Sequence, residues 1–213
     1  MSEFRLTTIE EMEAATARLL ETAEKVGADT WQLRVKRQTP HCKFGETGVC
    51  CRLCSMGPCR VTPKAPRGIC GCDAAGIVAR NYLCFTAGGA SAHSDHGREI
   101  CHTLHETSAD GDYKVKDPAK LIRIAKEWGV ETEGKDIYDL AHEMAELALL
   151  EYGKPFGFQN FIKRAPEYTQ KIWEREGIQP RAIDREVTTC MHMTHMGCSS
   201  DHEALVRQAL RTG

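Results

Sequence analysis

The chain contains no run of about 18 apolar residues, so no stretch of it reads as a membrane span. Neither charge is in excess. There are 28 Lys and Arg against 30 Asp and Glu, a net charge of -2, which argues against a nucleic acid as principal partner. The opening Met1-Ser2-Glu3-Phe4 lacks the basic and apolar regions of a secretory signal, so a cytoplasmic setting is expected. Walker A loop, dinucleotide fingerprint and nucleophile elbow are all missing, and no internal repeat or low-complexity segment is evident. What is left is a globular chain of 213 residues, enough for one large or two small domains.

Cysteine is what the chain has in quantity. Six of its 11 cysteines fall between Cys42 and Cys70. Two residues separate Cys51 from Cys54, four separate Cys54 from Cys59, and ten separate Cys59 from Cys70. Short steps bring soft thiolates together at little loop-closure cost, and Gly57-Pro58 and Gly68 supply turns around a compact inorganic core. A disulfide scaffold is disfavoured by the odd count and the missing export signal. Structural zinc is the alternative, but zinc ribbons use two Cys-x-x-Cys knuckles, and here one knuckle is followed by longer, unequal steps. The spacing favours an iron–sulfur cluster. Cys72 competes with Cys70 as fourth ligand. Cys42 and Cys50 are too few for a cluster. They find two more ligands in this chain, or face a symmetry mate across a twofold axis, or are free thiols.

The remainder reads as helices. Residues 8–26 carry Ile9, Met12, Leu19, Leu20 and Ala23 at helical spacing, with Thr7 or Thr8 as cap and Gly27 as stop. Arg34, Lys36 and Arg37 follow as exposed basic residues, serving solubility or the steering of an acidic redox partner. Asp73 caps a helix from Ala74 to Phe85. Further helices are expected over Ala119–Trp128, from Asp136 to near Gly153, from Pro166 to Gly177, over 180–196, and from Ser200 or Asp201 to Gly213. Tyr152 to Phe161 reads as a packed loop, and Cys84 and Cys101 as buried thiols. Met191, Met193 and Met196 are expected in the core. Cys190, His192, His195 and Cys198 have the composition of a metal set but irregular spacing, so structural roles are favoured.

Between these helices, Gly88-Gly89 is expected to open another that carries His93, His96, Glu99, His102 and His105, three residues apart throughout. That spacing keeps side chains neighbouring along a helix, and imidazoles titrate near neutrality, so the row is suited to passing protons. A solvated polar face is the plainer alternative.

The run Cys-x7-Cys-Cys-x2-Cys-x4-Cys-Arg from Cys42 continues as Thr62-Pro63-Lys64, Arg67-Gly68-Ile69-Cys70-Gly71 and Ile77-Val78-Ala79-Arg80-Asn81. With Thr194-His195-Met196-Gly197, it resembles the N-terminal region of the nickel-containing, anaerobic carbon monoxide dehydrogenases. The resemblance implies that Cys51, Cys54, Cys59 and Cys70 bind a [4Fe–4S] cluster within each subunit. It implies that Cys42 and Cys50 bind a second cluster shared across a homodimer axis. It also implies a proton relay through His93, His96 and His102, with Glu99 on a rung where the family often has histidine. The family's nickel–iron–sulfur site is bound by later domains, so this chain alone is expected to be inactive.

The expected fold is all-α, a helical domain with an N-terminal cysteine-rich cluster loop. Its parts are a lead-in over 1–38, the cluster-binding region over 39–72 and a helical domain over 73–213. The expected partners are a second copy of the chain, a ferredoxin-type electron acceptor and an acetyl-CoA synthase. The rival readings are a stand-alone iron–sulfur carrier or redox sensor, a hybrid-cluster-type redox protein, and a zinc-stabilised interaction module.

Overall fold

A computed structural model describes residues 13–213, and the chain divides into two compact units, 1–46 and 47–213. The boundary lies inside the cysteine-rich stretch.

The first unit holds α1 (Ala14–Lys25), α2 (Trp31–Arg37) and the single turn α3 (Lys43–Glu46). The expected caps Thr7 and Thr8, with Ile9 and Met12, lie outside the described residues. Gly27 ends α1 as expected: it takes φ +68°, a conformation that costs glycine nothing. Thr30 caps α2 through its hydroxyl. The basic residues of α2 are not all free charges, because Asp29 accepts from both Arg34 and Arg37, the latter at 2.8 Å.

The second unit is mostly helical, as expected. Its short strands β1 (Cys50–Cys51) and β2 (Cys59–Arg60) pair antiparallel with Cys51 opposite Cys59. Six helices follow: α4 (Ala74–His105), α5 (Pro118–Trp128), α6 (Ile137–Gly153), α7 (Glu167–Arg175), α8 (Ile183–Thr194) and α9 (His202–Thr212), with a 3-10 turn at Asn160–Arg164. Aspartates start four of them. Asp73, Asp117, Asp136 and Asp201 each accept from a backbone N–H of the first turn. Pro118 fills the first helical position of α5, and Gly129 ends it at φ +83°.

The central element is α4, which packs on α6, α8 and α9. It corrects the expectation of two helices here. Gly88 and Gly89 lie inside one 32-residue helix, and neither takes a positive φ. Each glycine costs about 1 kcal/mol of helix propensity. Tertiary packing offsets this, because Ala79, Leu83 and Ala87 of α4 form one core with Cys190 of α8 and Leu205 and Ala209 of α9. Toward its other end, Cys101 packs with Ala148 and Tyr152 of α6.

Three smaller expectations are corrected. Tyr152 and Phe161 are packed edge to face, but Phe156 between them is 83% exposed. That loop is held instead by the buried Glu151 carboxylate, which accepts from Lys154 and from the backbone and side chain of Asn160. Of Met191, Met193 and Met196, only Met193 packs on the core. Met191 points off the far face of α8, and Met196 lies beyond its end. Cys101 is buried as expected, whereas Cys84 is half-buried.

Glu186 joins α8 to its neighbours. Its carboxylate accepts from the Arg181 backbone and guanidinium and from Gln208 of α9, all within 2.7–2.8 Å. Burial pushes the carboxyl up, but these hydrogen bonds outweigh burial and hold it below the ordinary range. A group lowered on folding stabilises the protein above its unfolded pKa and loses that contribution as pH falls through the folded value. Glu186→Gln is expected to cost about 2 kcal/mol at neutral pH. In denaturant melts the gap between wild type and variant should narrow as the pH is taken below the usual carboxylate range. A gap that holds constant with pH would show that the carboxylate's charge is not what Arg181 and Gln208 stabilise.

Candidate functional site

The cysteines are positioned by one hairpin and one turn. Pairing of β1 with β2 sets Cys51 opposite Cys59, and the connection between the strands carries Cys54. That connection is tight: Gly57 N–H donates to the Cys54 carbonyl at 3.3 Å, and the Gly57-Pro58 peptide is cis. A Cβ on Gly57 would sit 3.1 Å from both the Cys51 carbonyl oxygen and the Cys59 nitrogen, so only glycine fits without movement. Cys70 lies on a second turn. Gly68 N–H donates to the Cys72 carbonyl at 2.7 Å, Gly71 takes φ +90°, and Arg67 holds the Gly71 carbonyl at 2.8 Å. The two pieces meet where Ile69 N–H donates to Cys59 Sγ at 3.5 Å.

Cys51, Cys54, Cys59 and Cys70 together line one small pocket, closed by Ile77 and Arg80 of α4. Among the described residues, no three His, Cys, Asp or Glu side chains are gathered closely enough for a single metal ion. Four thiols lining one pocket are the donor set that an iron–sulfur core takes, and that a structural zinc takes as well.

Cys72 does not line this pocket. It is 1% exposed, and its Sγ faces the Ser199 carbonyl at 3.7 Å. Burial and its hydrogen bond to Cys70 push the Cys72 thiol up to about 11. Cys70 moves the other way. Burial raises it, but hydrogen bonds from Cys72 and the Arg80 charge prevail and lower it.

Arg80 was not anticipated as a site residue, although a signal for it exists. It falls on the buried stripe Gly76, Ile77, Ala79, Arg80, Leu83, Ala87, where a cation is out of place. It is 1% exposed. Its two terminal nitrogens donate to carbonyls of Met193 (3.2 Å), Ser199 (2.9 Å) and Thr194. Its buried Nε has no partner among the described residues. An orphaned cationic donor beside four thiols fits an anionic cluster with sulfur acceptors.

Other expected residues are placed as follows. Cys42 belongs to the first unit and is exposed. Cys50 belongs to the second and is half-buried, its carbonyl accepting from Asn81 at 3.2 Å. His93, His96, Glu99 and His102 lie exposed along α4. His105 is half-buried, 3.5 Å from Glu146, with its ring 5.2 Å from that of His142. His142 of α6 faces the Thr107 carbonyl at 2.8 Å. Cys190, His192, His195 and Cys198 are not brought together: Cys190 is buried against Thr212 between α8 and α9, and Cys198 is exposed.

The chain is similar to known proteins over most of its length. Residues 49–213 match the model of the Prismane/CO dehydrogenase family. Carbon monoxide dehydrogenase 1 of Methanosarcina mazei is 43% identical over 206 residues, which cover 94% of this chain and 33% of that protein. The carbon monoxide dehydrogenase/acetyl-CoA synthase subunit beta of Moorella thermoacetica is 37% identical over 187 residues, or 84% of this chain and 28% of that protein. A Ni-free crystal structure of carbon monoxide dehydrogenase from Thermococcus sp. AM4 superposes with a TM-score of 0.82 at 41% identity, covering 100% of this chain and 35% of that one. The chain thus spans about a third of the length of these relatives. On the matched family model, the shared helical fold and the cysteine-lined pocket, the chain belongs to the Prismane/CO dehydrogenase family.

Proposed function

We propose that this chain is the iron–sulfur electron-transfer portion of an anaerobic carbon monoxide dehydrogenase. The whole enzyme would convert carbon monoxide and water to carbon dioxide, two protons and two electrons at a nickel–iron–sulfur site held by later domains. One observation carries the reading: Cys51, Cys54, Cys59 and Cys70, from a hairpin and a separate turn, line one pocket beside a buried cation. The named relatives, 37–43% identical, support it.

In this reading the four thiolates hold a [4Fe–4S] cluster, which supplies one-electron transfer at a potential set by ligation and burial. The Ile69 N–H steadies the Cys59 sulfur, and Ile77 keeps water from the pocket's α4 side. Cys42 and Cys50 supply half the ligands of a second cluster, completed by the same pair from a second copy across a twofold axis. His93, His96 and His102 move protons, each taking one at one ring nitrogen and releasing one from the other. Glu99 and His105 continue the row. A ferredoxin-type protein takes the electrons. Acetyl-CoA synthase is a further partner, supported by the name of the Moorella thermoacetica relative.

Two variants test the ligand set in anaerobically purified protein. Wild type is expected as a dimer with about six iron per chain, one [4Fe–4S] plus half of a shared one. Cys54→Ala is expected to lose about four of these. Unchanged iron content and visible absorption in Cys54→Ala would overturn the assignment, and zinc without iron in the wild type would replace it with a structural metal site. Gly57→Ala keeps every ligand but crowds the Cys51 carbonyl and Cys59 amide, and is expected to lower iron bound at saturation while the helical circular dichroism is unchanged. Full iron loading in that variant would show that the hairpin's turn does not shape the pocket.

A further inference from the structure

Arg80 presents an electrostatic problem that the protein alone does not solve. A guanidinium keeps its proton at any physiological pH, so burial cannot neutralise it as it would a lysine or a histidine. A buried cation without a counter-charge is strongly unfavourable. Arg80 is 1% exposed, and among the described residues no carboxylate lies within ion-pair distance of it. Its terminal nitrogens are satisfied by three neutral carbonyls at the end of α8 and in the turn after it. Its Nε is buried and unpartnered. The ionisable groups that share its pocket are the four thiols of Cys51, Cys54, Cys59 and Cys70.

We infer that Arg80 is a positioning residue for the inorganic core proposed above: it donates its Nε–H to a sulfur of that core, supplies the counter-charge, and raises its reduction potential. This rests on the assignment of the four cysteines to an iron–sulfur cluster. Arg80 keeps its proton, and no bond breaks. Addition of one electron makes the cluster and its thiolates more negative, and a fixed cation in a dry pocket favours that form. The three carbonyl bonds hold the guanidinium plane still, so its third edge stays presented to the pocket without reorganising during electron transfer. In exchange, the cluster's charge makes it tolerable for α4 to carry a cation on its buried stripe.

The experiment uses the whole protein, loaded with iron and sulfide under anaerobic conditions. Iron content and an EPR redox titration are measured for wild type, Arg80→Lys and Arg80→Met. Electron spin echo modulation of the reduced wild type is recorded with 15N-arginine labelling. At equal iron content, the midpoint potential is expected to fall in Arg80→Met and to fall less in Arg80→Lys. An arginine nitrogen coupling is expected in the wild type and is lost in both variants. A merely structural arginine would change stability and leave the potential of loaded protein where it was. An unchanged potential in loaded Arg80→Met, or a wild-type spectrum without arginine coupling, overturns the inference. So does a coupling that survives in Arg80→Lys, since it then belongs to another arginine. Should neither variant take up iron, the wild-type spectrum decides: a coupling of hydrogen-bond strength supports the inference and its absence overturns it. Wild-type protein that binds no iron–sulfur cluster refutes the proposed function itself, a result separate from any of these.

Discussion

The second unit is built around one buried charge. The Arg80 guanidinium can neither leave for solvent nor lose its proton, so the protein must surround it with acceptors. Three backbone carbonyls do so, and they can only do so where a helix ends. Within a helix the carbonyls are taken by N–H groups four residues on, whereas those of the last turn are free. The α8 helix stops at Thr194, which frees Met193 and Thr194, and the chain then turns so that Ser199 faces back. Asp201 starts α9 directly afterwards. Ala79, the residue before Arg80, and Cys190 of α8 belong to the apolar core that α4 shares with α8 and α9, so the charge and the core are set by the same packing.

The cysteine loop leans on the same junction. The Cys72 thiol faces the Ser199 carbonyl that also accepts from Arg80, and Gly76 approaches the Ser200 carbonyl closely enough that a Cβ would sit 3.3 Å from it. Segments far apart in the chain, around residues 51–72 and 193–200, are therefore tied to the first two turns of α4. A loop that must enclose an inorganic core has little apolar surface of its own to bury. Its geometry has to come from hydrogen-bonded turns and from a rigid neighbour, and here the neighbour is the capped start of α4.

Much of this was legible in the sequence, because its signals are local. Aspartates before apolar periodic stretches mark where helices begin, and glycines such as Gly129 mark where they end. The cysteine spacing carries its own chemistry, whatever surrounds it. What escaped depends on contacts between distant residues. The helix runs through Gly88-Gly89 because α8 and α9 pack on the residues before them, a stabilisation that propensity does not contain. The exposure of Met191 depends on which face of α8 meets α4. The ring contact of His142 with His105 joins two helices separated by 31 residues of other structure. Arg80 was the missed residue with a visible trace, since a charge at an otherwise apolar register position implies a buried partner.

The unbroken course of α4 also bears on how one helix serves two kinds of transport in the proposed reading. A cluster pocket requires exclusion of water, whereas proton relays require groups that titrate near neutrality and reach water or one another. The two demands are compatible on one element only if its environment changes along its length. That change is present. From Gly76 to Ala87 one face of the helix (Ile77, Ala79, Arg80, Leu83, Ala87) is buried against the cysteine loop, α8 and α9 while Val78, Tyr82 and Phe85 face outward, and on its second half His93, His96, Glu99 and His102 stand exposed. Arg80 and His93 are thirteen residues apart, about 20 Å along the axis. A break at Gly88-Gly89 would have let the halves move separately. A continuous hydrogen-bonded ladder fixes the distance and the angular offset between the dry end and the histidine row, so whatever sits at one end is held in register with the other.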